Sequence, residues 1–111
     1  MKLITAVVTP EEFDAVKQAL NTFDVAGLTV TEVYQRDLIG GRDQIYRGQR
    51  FHADLLPHIR IDLVATDRDI ADLIRIVTKV APRVRGAESL WVTPVEVTVR
   101  IRTGERGADA L

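Results

Sequence analysis

Apolar and polar positions change rhythm repeatedly along the chain, and each change predicts an element. Residues 2–8, Lys-Leu-Ile-Thr-Ala-Val-Val, form a short apolar and β-branched run ended by Pro10, which predicts a buried strand rather than a helix. A helix start follows. Thr9 can cap it, Pro10 takes the first helical position where its missing N–H costs nothing, and Glu11 and Glu12 face the positive end of the dipole. Phe13, Val16, Leu20 and Phe23 then recur at steps of three, four and three, a single stripe facing a core. Ala26-Gly27 closes this unit. Leu28 to Val33 reads as a second strand, with Thr29 and Thr31 on one face and Leu28 and Val30 on the other.

From Tyr34 to about Asp54 the periodicity vanishes into Arg, Asp, Gln and Gly with scattered apolar residues. A structureless stretch of that length inside a compact domain is usually functional or disordered. Strand character returns at Ile59, where Ile59, Ile61 and Leu63 alternate with Arg60, Asp62 and Val64. Thr66 or Asp67 then caps a second helix with Ile70, Leu73, Ile74, Val77 and Val80 on one stripe, and Pro82 stops it. After a basic loop, Arg83 to Glu88, Leu90-Trp91-Val92 forms a short strand that Pro94 confines to an edge or an ending. Val95, Val97, Val99 and Ile101 alternate strictly with Glu96, Thr98, Arg100 and Arg102, the cleanest period-two signal in the chain, and predict a last strand. The polar tail, 103–111, is expected to be mobile or docked on a neighbour.

Strand, helix, strand, strand, helix, strand is the split βαβ order, with both helices on one face of an antiparallel sheet. The opposite face is left open in one subunit, so self-association is expected. The 111 residues make one domain, 46% of them apolar. A core of that size leaves little room for a large internal site, so a sizeable ligand is expected between subunits. The 15 basic and 16 acidic side chains nearly cancel, which excludes function by bulk attraction to nucleic acid or an anionic membrane. The absence of cysteine removes disulfides, thiolate metal sites and cysteine nucleophiles. The opening apolar run is too short for a signal peptide or a membrane span, and the expectation is a soluble, cytoplasmic protein.

Arg100 and Arg102 lie two apart on the last predicted strand, so both forks point to one side and suit a phosphate or carboxylate cluster. A solvated face paired with acids explains them equally. Arg83 and Arg85 beside Gly86 form a second basic group that can fold over an anion. His52 and His58, with Asp54 between them, can hold Zn²⁺ or Cu²⁺ if the loop folds back, although the spacing fits no compact ligand motif. Asp62 sits among apolar neighbours and needs donors, either as a paired structural acid or as the acceptor for a ligand amino group. There is no serine–histidine–aspartate arrangement, zinc-protease motif, dinucleotide fingerprint or P-loop, and no enzymatic activity is expected.

Read end to end, the chain resembles the PII signal-transduction proteins. The resemblance is carried by Met1-Lys-Leu-Ile-Thr-Ala, Gly27-Leu-Thr-Val-Thr-Glu-Val33, Tyr46-Arg-Gly48, Asp54-Leu-Leu-Pro57 and above all Val99-Arg-Ile-Arg-Thr-Gly-Glu105. It implies an α+β, ferredoxin-like βαββαβ subunit with a long T-loop, assembled as a homotrimer. It also implies a non-enzymatic sensor of adenine nucleotides (ADP, AMP or ATP, alone or with Mg²⁺) without a tightly bound cofactor. On this resemblance Thr29, Asp62 and Val64 lie near the base, and Arg100 and Arg102 hold the phosphates together with Arg85 and Gly86. The B-loop spans about 82–89 and the T-loop about 35–54, where Arg36, Arg42, Tyr46 and Arg47 would meet a target protein such as a transporter or metabolic enzyme.

The departures fall where the family senses and signals. Glu88 replaces a glycine that could approach phosphates, and Ser89 replaces the phosphate-binding lysine. Asp62 stands for the usual glutamate, Ile39 for a glutamine that supports Mg²⁺ and 2-oxoglutarate, and His58 for a lysine that pairs with the 2-oxoglutarate carboxylate. A weakened or lost 2-oxoglutarate response follows. Phe51 takes the place of the tyrosine modified by nucleotidylation, so that switch is expected to be missing. Two other readings stay open: a PII-like sensor of another ligand, such as bicarbonate or another nucleotide, and a metal-binding trimer.

Overall fold

The computed structural model describes residues 1–23, 25, 27–36, 42–46, 49–53, 55–80 and 89–111, with the side chains of 42–46 and 49–53 left aside. In chain order the elements are β1 (Lys2–Val8), α1 (Pro10–Thr22), β2 (Thr29–Arg36), β3 (Arg42–Tyr46), β4 (Gln49–Ala53), β5 (Leu55–Ala65), α2 (Ile70–Val80) and β6 (Ser89–Pro94). A 3₁₀ turn at Asp67–Asp69 leads into α2, and another closes the chain at Gly107–Ala110. The main sheet is antiparallel in the order β2-β5-β1-β6.

α1 begins as its sequence dictates. The Thr9 hydroxyl accepts from the Glu12 amide at 3.3 Å while the Glu12 carboxylate accepts from the Thr9 amide at 3.1 Å, a complete capping box. Val16 and Leu20 of α1 and Leu73 and Val77 of α2 then join Ile4, Ala6 and Val8 of β1 and Ile61, Leu63 and Ala65 of β5 in one buried cluster. Each large aliphatic side chain in such a cluster contributes roughly 1.5–3 kcal/mol of transfer free energy. Both helices therefore lie on one face of the sheet, as the split βαβ order predicts. Among the described residues no helix covers the opposite face, where Thr5, Val7, Arg60, Asp62 and Trp91 alternate with the core positions.

Two expectations are corrected. The stretch from Tyr34 to Asp54 is not structureless, because β2 continues to Arg36 opposite Leu55, and β3 pairs with β4 from Arg42↔Ala53 to Tyr46↔Gln49. Backbone pairing needs no apolar alternation, so these polar strands left no periodic trace.

The second correction concerns the segment after Pro94. Its strict alternation does not form a strand: β6 is the edge of the sheet and ends at Pro94, and beyond it, among the described residues, only Val99 bridges to Arg106. Alternation decides which face each side chain takes, but a ladder also needs a partner strand. Lacking one, the segment turns back on itself, with the Arg100 amide donating to the Glu105 carbonyl at 2.9 Å and the Gly104 amide to the Arg100 carbonyl at 2.7 Å. Gly104 adopts φ +85° in this turn, a conformation that favours glycine. The tail docks on its own chain, where the Gly107 amide donates to the Thr98 carbonyl at 2.9 Å.

Candidate functional site

The strand lengths open a cleft. β2 starts at Thr29, opposite Asp62, while β5 runs on to Ala65 against β1. The outer edge of residues 63–65 is thus uncovered by any described strand, and a cleft of about 700 Å³ lies there. That volume is within the range of small-molecule sites, ~300–1,000 Å³. Thr29, Asp62 and Val64 line it, together with the apolar Phe23, Val25 and Leu73 and with Thr98, Ala108, Ala110 and Leu111 from the C-terminal part of the chain. The three residues matched to the base position therefore share one cleft. Leu73 belongs to the core as well, so the cleft shares a wall with the packing that holds the helices.

Asp62 is also a paired acid. It accepts from the Thr5 hydroxyl at 2.6 Å and from Arg60 Nε at 3.0 Å and Nη2 at 3.4 Å. The sheet register creates this arrangement, since Asp62 faces Thr29 on one neighbouring strand and Thr5 on the other, with Trp91 opposite Thr5 in turn. Arg60 lies 5.8 Å from the Trp91 ring centre, a cation–π contact. Burial pushes the Asp62 carboxyl up, but the bonds from Thr5 and Arg60 and the Arg60 charge outweigh it and hold the group below the ordinary carboxylate range. Thr5 and Arg60 were missed as partners in the sequence. A hydroxyl inside the apolar run of residues 2–8 is the signal that could have found Thr5, because a buried polar group needs a partner.

Arg100 and Arg102 do not stand side by side on a strand. Arg102 is exposed in the turn, whereas Arg100 reaches across the return, and its Nη2 donates to the main-chain oxygens of Ala110 at 3.5 Å and Leu111 at 3.2 Å, two residues that line the cleft. Glu105 is held low by the Thr103 hydroxyl, by its own backbone amide and by the nearby Arg100 charge.

Arg36 ends β2, and Arg42 and Tyr46 bound β3, whose side chains are left aside; Arg47, Arg85 and Gly86 lie outside the described residues. Of the metal candidates, Asp54 and the side chain of His52 also lie outside them. His58 is buried and its Nδ1 donates to the Leu56 carbonyl at 3.0 Å. Among the described residues no three metal-ligating side chains gather, and no helix is long and apolar enough to cross a membrane.

The fold and its cleft define a ferredoxin-like α+β subunit with a small-molecule-sized site at the end of its sheet. A family model for nitrogen regulatory protein P-II matches residues 1–105. The chain is 39% identical to the nitrogen regulatory protein P-II of Azospirillum brasilense and 38% identical to that of Rhodospirillum rubrum, over the full length of both chains in each case. It is 38% identical to nitrogen regulatory protein P-II 2 of Methanothermobacter thermautotrophicus, over all of this chain and 97% of that one. The chain belongs to the P-II family of nitrogen regulatory proteins.

Proposed function

We propose that the protein is a trimeric, non-enzymatic sensor that binds an adenine nucleotide in the cleft beside Thr29, Asp62 and Val64 and passes the signal to a target protein through residues 35–54. The observation that carries the reading is the convergence at one cleft of residues far apart in sequence. Thr29, Asp62 and Val64 line it, and Arg100 bonds to Ala110 and Leu111, which line it too. A guanidinium bonded to lining residues suits a phosphate, and a sheet edge that no described strand pairs, beside a carboxylate, suits a base.

Arg102 would add to the phosphate site, with Arg85 and Gly86 contributing from the loop at 82–89. Self-association is supported by the exposure of Trp91, Val97, Val99 and Ile101, an apolar set the single subunit does not bury. Arg36, Arg42, Tyr46 and Arg47 are the contacts offered to the target, such as a transporter or metabolic enzyme. Nucleotide binding that orders or releases this segment is the switch. Two features support a weak 2-oxoglutarate response, Ile39 and the engagement of His58 with its own backbone. Phe51 has no hydroxyl to accept a nucleotidyl group.

Isothermal titration with ATP, ADP and AMP, each with and without Mg²⁺ and 2-oxoglutarate, tests this reading. Micromolar binding that disappears in the Arg100→Ala, Arg102→Ala double variant and gains nothing from 2-oxoglutarate is expected. Absence of binding by all three nucleotides would overturn it and direct the search to other anions.

A further inference from the structure

We propose that residues 107–111 form an intrachain latch that competes with a phosphate-bearing ligand for Arg100 and for the space beside Thr29, Asp62 and Val64. The inference rests on the nucleotide reading above. Arg100 is a charged donor, and in this chain its Nη2 is occupied by two main-chain oxygens, those of Ala110 and Leu111. A phosphate offers several anionic oxygens to a guanidinium, so the same bonds that close the latch are the ones a phosphate would replace. The tail also takes up room, because Ala108, Ala110 and Leu111 line the cleft that holds the base-side candidates.

The conformation that aims the tail into the cleft depends on Gly107. The chain returns along itself from Thr98 to Gly107, and Gly107 then turns at φ +67° into the closing 3₁₀ turn. Among the described residues a Cβ added at Gly107 meets nothing within 4 Å, so alanine there would strain the backbone of the docked tail without touching the cleft. Among the described residues few bonds hold the tail beyond Gly107. The Leu111 amide donates to the Ala108 carbonyl at 3.2 Å, and Arg100 supplies the link back to the body of the fold. Such a segment can open without unfolding the core. A ligand that needs the open form then binds with its intrinsic affinity reduced by the fraction of molecules that are open.

The test compares ADP binding by the full chain, a chain lacking 107–111 and a Gly107→Ala variant, together with hydrogen exchange of the Leu111 amide. Removing the tail is expected to tighten ADP binding about tenfold and Gly107→Ala about threefold, the difference reflecting partial against complete opening. The Leu111 amide is expected to exchange faster once ADP is bound. If the full chain binds ADP and the shortened chain binds it equally or more weakly, the tail is no competitor and the latch is overturned while the nucleotide reading stands. An exchange rate at Leu111 that ADP leaves unchanged also overturns it. If no form binds ADP, ATP or AMP, the nucleotide reading fails and the latch falls with it.

Discussion

Thr5 and Asp62 face each other across the β1–β5 pairing, and the fully buried threonine hydroxyl donates to the carboxylate at 2.6 Å. The pair lies in a row that crosses all four strands, Thr29, Asp62, Thr5 and Trp91. One end of this row lines the cleft and the other carries the exposed tryptophan. The helix-free face therefore has a polar spine, and Asp62 belongs both to that spine and to the candidate site.

Replacing Asp62 by Asn keeps the shape but removes the charge that Arg60 and Thr5 satisfy, and is expected to cost about 1–3 kcal/mol in urea unfolding. The pH dependence follows from the sign of the shift. The folded carboxyl titrates below its ordinary value of 3.8, so its contribution is complete at neutral pH and is lost as the pH falls from about 4 through the depressed folded value. The Asp62→Asn variant is expected to lose stability less steeply over that interval than the parent. Acid limbs of equal slope would show that the carboxylate is not held by these partners.

The cap of α1 allows a separate test. Thr9 accepts from the Glu12 amide, and its hydroxyl donates back to the Glu12 carboxylate at 2.6 Å, with Glu12 itself only 5% exposed. Thr9→Ala removes a cap and strips a buried carboxylate of a donor, so a loss of about 1–2 kcal/mol is expected. Thr9→Ser retains both bonds and should stay within about 0.5 kcal/mol of the parent in the same denaturation experiment. Equal losses in the two variants would mean that the threonine methyl, not the hydroxyl, matters.

Leu73 joins core and cleft, being 1% exposed and lining both. Leu73→Ala is expected to destabilise by about 2–5 kcal/mol, the range for an aliphatic residue removed from a packed core. A denaturation midpoint matching the parent's would place Leu73 in the cleft alone.

The parts of the fold legible in the sequence were those in which one face meets a core. The stripe of Val16 and Leu20, the alternation of Ile61 and Leu63, and the Thr9-Pro10-Glu11-Glu12 start all describe burial or capping within one chain, and the structure follows them. Where pairing is purely backbone, as in β3 and β4, side-chain patterning carried no information. The alternation at 95–102 misled for the opposite reason, since Val97, Val99 and Ile101 on its apolar side stay exposed in the single chain. For the candidate site, Thr29, Asp62 and Val64 were placed by family resemblance and do share a cleft, while the contact of Arg100 with Ala110 and Leu111 depends on a turn that no periodicity encodes.

That uncovered alternation makes the last prediction. Ile101 is fully exposed and Val97 and Val99 are 55% and 44% exposed, close in sequence to one another. A chain that buries them against second and third copies gains roughly 1.5–3 kcal/mol for each large aliphatic side chain covered. Ile101→Glu reverses that gain at a position with no packing role in the single subunit. The variant is therefore expected to keep its helical circular dichroism and its unfolding midpoint measured as a monomer. In light scattering coupled to gel filtration it is expected to elute as a monomer at concentrations where the parent is a trimer. Trp91, the single tryptophan and 41% exposed in the isolated subunit, supplies an independent reading. Its emission should lie further to the blue in the parent than in Ile101→Glu if assembly covers this side of the sheet. A parent chain that remains monomeric up to about 100 μM, with emission identical to the variant's, would remove the trimer from the proposed function, since a specific assembly this weak lies beyond the micromolar range expected of a stable interface.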